Sequence, residues 1–296
     1  MITPVLTGRR PGAEAAPPPP VLTPAVPCFP AAAGPGPRVA VISTVHNEED
    51  LIVAFLEHYF GLGVDLVWLL ANDCTDRTLE LARRHPNIVV SDLDSGGRLD
   101  CAVRRDALER CRAACAGRYD WVLPVDADEF VVPKDGGLKG TLRRHAGQAV
   151  LGTEGFDVVQ GAGEPAFDPA LPPLAQRRFG LASVDYSKPV VLRPEARVRL
   201  GVGLHCLEGP MPRPAVCPFH LFHLAAFDEG LFLKRRRRMT ARQGEANVRH
   251  GYSVQHTNQS EDDLRRRWRA LQDDPRLQAL PGLPQAVAAA RPVTPP

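Results

Sequence analysis

The chain has 296 residues, 44% of them hydrophobic, and a formal net charge of +2. That is enough for one substantial core, or one core with a small lobe, and the near-neutral balance supplies no global field demanding nucleic acid or a membrane. No apolar run approaches the length of a membrane span, and none follows Arg9-Arg10, so neither a spanning helix nor a secretory signal peptide is expected.

Residues 1–37 are rich in Pro, Ala and Gly and include Pro17-Pro18-Pro19-Pro20, which predicts a disordered arm. Order is predicted from Arg38. The continuous apolar run Val39 to Ser43 reads as a strand buried on both faces. Asn47 reads as a helix N-cap, with Glu48, Glu49 and Asp50 in a dipole-favoured first turn. Leu51, Ile52, Phe55, Leu56, Tyr59 and Phe60 then recur at helical spacing, and Gly61 and Gly63 end the helix. A second strand is predicted over Val64 to Ala71. The polar turn Asn72 to Asp76 leads to a helix from about Thr75, its expected cap, to Arg84. A short third strand, Asn87 to Val90, precedes an amphipathic helix over Cys101 to Ala116. A strand over Asp120 to Val125 follows.

After Pro133 the pattern loosens. Strands are expected at Ala149 to Thr153 and Val190 to Arg193, and a helix from Phe227 to about Arg242. Ser260 and Asp263 form a predicted capping box for a last helix. Residues 276–296 read as a flexible tail. The seven cysteines are odd in number and contain no CxxC pair, which predicts reduced thiols in a cytoplasmic protein.

Alternating strands and helices imply a Rossmann-like α/β fold: a mostly parallel sheet with right-handed crossovers and helices on both faces. In such sheets ligands sit at the carboxyl ends of the strands. Three polar clusters fall there: Thr44 to Asn47, Asn72 to Asp76, and Asp126-Ala127-Asp128-Glu129. The last packs three carboxylates into four residues directly after an apolar strand. Like charges that close repel unless a cation neutralises them. A hard divalent ion, Mg²⁺ or Mn²⁺, suits carboxylate oxygens and would in turn hold the phosphates of a nucleotide substrate.

The segments Val41 to Glu49, Asn72-Asp73-Cys74-Thr75-Asp76-Arg77-Thr78, and Asp120 to Leu123 running into Asp126-Ala127-Asp128-Glu129-Phe130 resemble family 2-like glycosyltransferases. The similarity is greatest to a bacterial subgroup with a DxDEF motif, also similar to family 92, and covers roughly Arg38 to Arg238. Ser187 to Pro194, Gly203-Leu204-His205 and Phe219 to His223 carry a weaker match. The resemblance implies a GT-A fold, with a nucleotide-sugar-binding half over 38–133 and a smaller acceptor-side half with C-terminal helices over 134–275. It also implies a nucleotide-sugar donor (a UDP-sugar favoured), a divalent metal, and inversion at the anomeric carbon. Asn47 and Glu48 would lie near the nucleoside, Asp73 at the base or ribose, and Asp126 and Asp128 at the metal and donor. The turn reads Asn72-Asp73-Cys74-Thr75 where the family has a DDGS-type sequence.

A third protein ligand for the metal is sought among His205, His220 and His223, with His223 preferred. An inverting transfer needs a carboxylate base for the acceptor hydroxyl. Glu154 and Asp157, after the strand that follows the metal motif, are preferred over Glu129. Lys188, Arg98 and Arg104 could neutralise the diphosphate. Of the two arginines, Arg98 in its Gly-Gly-Arg loop is the better placed. The run Lys234-Arg235-Arg236-Arg237-Arg238 reads first as a solvated helix face, then as a contact for an anionic membrane surface or a phosphorylated acceptor, and least as a nucleic-acid site.

The resulting expectation is a cytoplasmic, metal-dependent, inverting glycosyltransferase of polysaccharide biosynthesis with a glycan or lipid-linked acceptor. A nucleotidyltransferase shares the sheet and the acidic site, but normally carries a basic, Gly-rich phosphate loop where Thr44 to Glu49 is acidic. A non-catalytic glycan- or partner-binding module is disfavoured by the intact acidic motif.

Overall fold

The computed structural model describes residues 36–208, 216–252 and 259–283. The first part alternates as expected: β1 (Val39–Val45), α1 (Ile52–Gly61), β2 (Leu66–Ala71), α2 (Thr78–Ala82), β3 (Ile88–Asp92), α3 (Cys101–Ala114) and β4 (Trp121–Pro124). Then come β5 (Glu129–Pro133), α4 (Leu138–Arg144), the long β6 (Val150–Val159), β7 (Phe179–Ser183) and β8 (Pro189–Leu192). A small ribbon, β9 (Arg199–Leu200) with β10 (Leu207–Glu208), precedes β11 (Phe219–Ala226). The chain closes with α5 (Glu229–Arg242), α6 (Glu245–His250), α7 (Glu261–Gln272) and β12 (Gln278–Ala279).

The sheet runs β12-β7-β6-β8-β4-β1-β2-β3, with β11 joining β6 to β5. The β4-β1-β2-β3 part is parallel. β8 pairs antiparallel with both β4 and β6, so it links the parallel part to the second part. The ends of β6 serve different neighbours: Val150 to Gly152 pair with β8, residues from Thr153 onward with β11, and residues from Gly155 onward with β7.

Side-chain alternation explains why the parallel strands are apolar throughout. Val39, Val41 and Val45 of β1, with Val67 and Leu69 of β2, join α1 and α4 in one core. Ala40 and Ile42, with Leu66, Trp68 and Leu70, join α3 in the other. A third cluster packs Phe232 and Leu233 of α5 and Leu264 and Trp268 of α7 against Val159, Leu181 and Ala226. The α/β expectation therefore holds, with helices on both faces of a mixed sheet whose β4-β1-β2-β3 part is parallel.

Local details differ. α1 begins at Ile52 without a side-chain cap. Asn47 instead sits at φ +53° and accepts hydrogen bonds from the Thr75 and Asp76 backbone N–H groups at 2.7 and 3.3 Å, tying the loop after β1 to the loop after β2. Thr75 is that partner rather than a cap, and α2 starts only at Thr78. The Ser260–Asp263 capping box is present. The segment expected to be a tail from 276 opens with β12, which pairs with Phe179 and Gly180. Residues 1–35 of the expected arm and 284–296 of the tail lie outside the described residues. Among the described residues no helix is long and apolar enough to cross a membrane.

Candidate active site

A cleft of about 590 Å³ opens at the carboxyl ends of β1, β2 and β4 and is closed on its far side by β6, β11 and α5. Thr44 enters it from the end of β1, His46 and Glu48 from the loop after β1, Asn72 from the loop after β2, and Asp126 and Asp128 from the turn after β4. That turn is tight: the Glu129 N–H donates to the Asp126 carbonyl at 3.0 Å, and the Asp126 N–H donates to Glu129 Oε2 at 3.2 Å.

Alternation separates the three carboxylates. Asp128 is buried against the cleft, with Oδ2 2.9 Å from Arg235 Nη2 and 3.1 Å from His223 Nε2. Burial alone would raise its pKa, but Arg235 and His223 outweigh it and hold the carboxyl well below the usual range. Asp126 pairs with Arg104. Glu129 points the other way, into the core, where Oε1 meets Lys188 Nζ at 2.7 Å with both side chains 1% exposed. Glu129 is thus not placed as a base. Lys188, read as a diphosphate ligand, is instead the buried counter-ion of Glu129 and does not line the cleft.

Of His220 and His223, it is His223 that faces the cleft. It and Asp157 are ladder partners in β11 and β6, and its Nδ1 lies 2.6 Å from Asp157 Oδ1. Burial opposes protonation, but Asp128 and Asp157 together raise the imidazole pKa to about 9. Tyr186 stacks on the ring, centroids 3.8 Å apart, and its hydroxyl lies 3.0 Å from Nε2. His220, three residues earlier in β11, has the opposite orientation, as strand alternation requires; it packs by Phe156 and Phe222. His205 lines the cleft mouth and hydrogen-bonds the Asp185 carbonyl at 3.0 Å.

The same alternation decides between the two candidate bases. Glu154 and Asp157 are three residues apart on one strand, so they cannot share a face. Asp157 lines the cleft. Glu154 turns away to Lys134, at 2.5 Å, and the catalytic expectation for it is corrected on that ground. Two more expectations change. Arg98 does not line the cleft, whereas Arg104 does. Asn47 and Asp73 hold loops beside it: Asp73, at φ +52°, accepts from the Gly97 N–H at 3.1 Å. Glu48 is in the cleft, paired with Arg238 at 2.9 Å and Arg235 at 3.4 Å. Burial raises its carboxyl pKa against both arginines.

The basic run of α5 turns inward. Arg235, Arg238 and Arg242 recur at i, i+3 and i+7 and so share a helix face, and that face lines the cleft. Arg242 donates to Asn72 Oδ1 at 2.7 Å and to the Gly97 carbonyl at 3.0 Å. Lys234 holds Asp50 at 2.5 Å, and Arg237 holds Glu261 at 2.5 Å. Both of these pairs are partly exposed, so Lys234 and Arg237 lie on the outer side of α5. Tyr186 and the arginines of α5 were missed as site residues. The i, i+3, i+7 spacing was the available signal, and it needed the strand order to say which way the face points.

Among the described residues, no three His, Cys, Asp or Glu side chains are gathered as a ready metal site. The donor chemistry is nonetheless suitable. Asp128 Oδ2 and His223 Nε2 are adjacent, Asp126 shares the cleft, and Asp157 accepts from the remote ring nitrogen. That backing carboxylate is the usual support of a metal-bound imidazole.

No protein-family model matches the sequence, and no curated protein sequence matches it. Solved structures give loose matches. S. aureus TarS, residues 1–349, is 14% identical over 71% of this chain and 68% of that chain, with a TM-score of 0.34. A mycobacterial protein is 23% identical over 41% of each chain, with a TM-score of 0.29. Glucosyl-3-phosphoglycerate synthase from Mycobacterium tuberculosis, in complex with Mn²⁺, UDP and phosphoglyceric acid, is 18% identical over 57% of this chain and 62% of that chain, with a TM-score of 0.33. At these values the likeness transfers no residue role and no activity.

Proposed function

We propose that the chain is a metal-dependent, inverting glycosyltransferase of GT-A type. It would move a sugar from a nucleotide-sugar donor, a UDP-sugar favoured, to a glycan or lipid-linked acceptor in the cytoplasm. One observation carries the reading. At the carboxyl edge of a parallel sheet, Asp126 and Asp128 face a cleft whose opposite wall presents Asp157, held by His223. In this reading residues 38–133 form the donor half and 134–275 the acceptor half.

Each side chain then has a task. Glu48, Asn72 and Asp73 lie where the loops after β1 and β2 would meet the nucleoside. Asp128 and His223, with Asp126, would hold Mn²⁺ or Mg²⁺, which supplies neutralising charge to the departing nucleoside diphosphate. Arg104 and Arg235, now on those same carboxylates, are positioned to turn to phosphate oxygens. Asp157 takes the proton of the acceptor hydroxyl. The acceptor oxygen bonds the anomeric carbon from the face opposite the diphosphate, and the bond to the phosphate oxygen breaks. His223 fixes Oδ1 of Asp157 and leaves Oδ2 for that proton. Tyr186, stacked on His223, limits the freedom of the ring.

A thermal-shift series tests this. UDP- and GDP-sugars are added with and without Mn²⁺ to the native chain and to Asp128→Asn. Stabilisation by a nucleotide-sugar that needs both metal and Asp128 is expected. If no nucleotide-sugar stabilises the native chain under either condition, the reading is wrong.

A further inference from the structure

The carboxylates that line the cleft are those of Glu48, Asp100, Asp126, Asp128, Asp157 and Asp185. All but the last are engaged. Glu48 has Arg235 and Arg238, Asp126 has Arg104, Asp128 has Arg235 and His223, and Asp157 has His223. Asp100 caps α3 by accepting from the Ala102 and Val103 N–H groups. Among the described residues, the Asp185 carboxylate has neither an ion pair nor a hydrogen bond. Asp185 stands in the turn between β7 and β8, which the Ser187 N–H closes by donating to the Ser183 carbonyl at 3.0 Å. His205 is fixed to that turn, its Nδ1 3.0 Å from the Asp185 carbonyl. A carbonyl only accepts, so Nδ1 carries the hydrogen and Nε2 of the neutral ring is an acceptor. Among the described residues Nε2 has no partner. The loop that carries His205 is held at a cost. Leu204 adopts φ +64°, where a leucine is strained, while its side chain, 4% exposed, is anchored with Leu200 and Leu207 in the core beside α3.

Two hydrogen-bond acceptors that are joined to one another and lack donors match a ligand with neighbouring donors. The hydroxyls of a sugar ring are such donors, and a carboxylate can take two at once. An anionic group would instead meet Asp185 as a like charge. The pair also lies next to the chemistry. Tyr186 follows Asp185 in the chain; its ring meets the His205 ring edge-on, centroids 5.5 Å apart, and stacks on His223 at 3.8 Å. His223 in turn holds Asp157. Resting on the glycosyl-transfer reading above, we propose that Asp185 and His205 form the acceptor subsite, and that it takes an uncharged sugar ring through two neighbouring hydroxyls. A further hydroxyl of the same ring is then the one presented to Asp157. Asp185 and His205 select the acceptor and hold it; they take no part in the proton transfer.

Saturation-transfer NMR of the full chain with the methyl glycosides of glucose, galactose, mannose and N-acetylglucosamine, with and without UDP and Mn²⁺, tests the subsite. Glycerol 1-phosphate is the comparison, because Arg267 also lines the cleft. At least one glycoside is expected to bind while UDP is bound. Asp185→Ala and His205→Phe should each weaken that binding at least fivefold, as the loss of a hydrogen bond would, and leave UDP affinity within twofold. His205→Phe keeps a ring beside Tyr186, so its effect reports the nitrogens. Glu57→Ala, at an exposed position of α1, should change neither ligand. Asp185 and His205 are exposed, so these variants should fold. Binding of no glycoside, binding indifferent to both variants, or binding of glycerol 1-phosphate alone would overturn the proposal. Asp185-dependent glycoside binding in a chain that takes no UDP would support the subsite while removing the donor reading.

Discussion

His223 and Asp157 stand opposite one another in the parallel ladder of β11 and β6, with imidazole Nδ1 2.6 Å from carboxylate Oδ1. This pair spans 66 residues of sequence and joins the acidic turn after β4 to the opposite wall of the cleft, because Nε2 of the same ring meets Asp128.

If Asp157 is the base, Asp157→Asn should lower kcat by about two to four orders of magnitude, the usual range for a lost general base. Nucleotide-sugar binding should change little. Glu154→Gln should be nearly neutral, because Glu154 faces Lys134 outside the cleft. Steady-state kinetics of the two variants side by side decides it; equal losses would remove Asp157 from the role.

Lys188→Met should destabilise the fold by about 3–5 kcal/mol, because it leaves Glu129 charged and uncompensated in the core. The double variant Lys188→Met/Glu129→Gln should recover much of that loss. Urea-denaturation midpoints report both. A single variant as stable as the native chain would show that the pair is not the buried ion pair seen at 2.7 Å.

Gly155 of β6 is required by close approach. A Cβ there would overlap the backbone of Tyr186 and lie 2.5 Å from the Ser187 nitrogen. Gly155→Ala should therefore displace Tyr186 from its stack on His223 and lower activity by at least tenfold. Tyr186→Phe keeps the ring and loses only the hydroxyl, so it should be milder. Kinetics of both variants, with circular dichroism as a check on folding, tests the ordering.

Stability should fall in mild acid through His58. Burial depresses its pKa to about 4, against a weaker opposing effect of the hydrogen bond to the Val131 carbonyl. The unfolded chain takes up this proton near pH 6.5. The contribution is therefore complete above pH 6.5 and is lost as pH falls toward 4, amounting to about 2 kcal/mol between pH 7 and 5. Unfolding free energies of the native chain and His58→Gln at both pH values isolate the effect; equal pH slopes would dismiss it.

The order of β1 to β4, the helices between them and the acidic turn were legible in the chain. Each is encoded within a short window, by continuous apolar runs for strands buried on both faces and by 3.6-residue spacing for helices. The cleft residues contributed by that half, Glu48, Asp126 and Asp128, were legible for the same reason. The Ser260–Asp263 capping box was equally local.

The opposite wall was not legible, because it depends on pairing between distant strands. A carboxylate or histidine in β6 or β11 reads the same whether it faces cleft or solvent, and a one-residue change of register exchanges the faces. The ladder of β11 with β6 chose Asp157 over Glu154 and His223 over His220. The core position of β8 made Lys188 a partner of Glu129 instead of a phosphate ligand. The packing of α5 over the β-strand ends turned a run that looked like solvated charge into the basic wall of the cleft. Sequence determined which residues could do chemistry at the strand ends; register and helix packing, set by burial of the two sheet faces, decided which of them face one another.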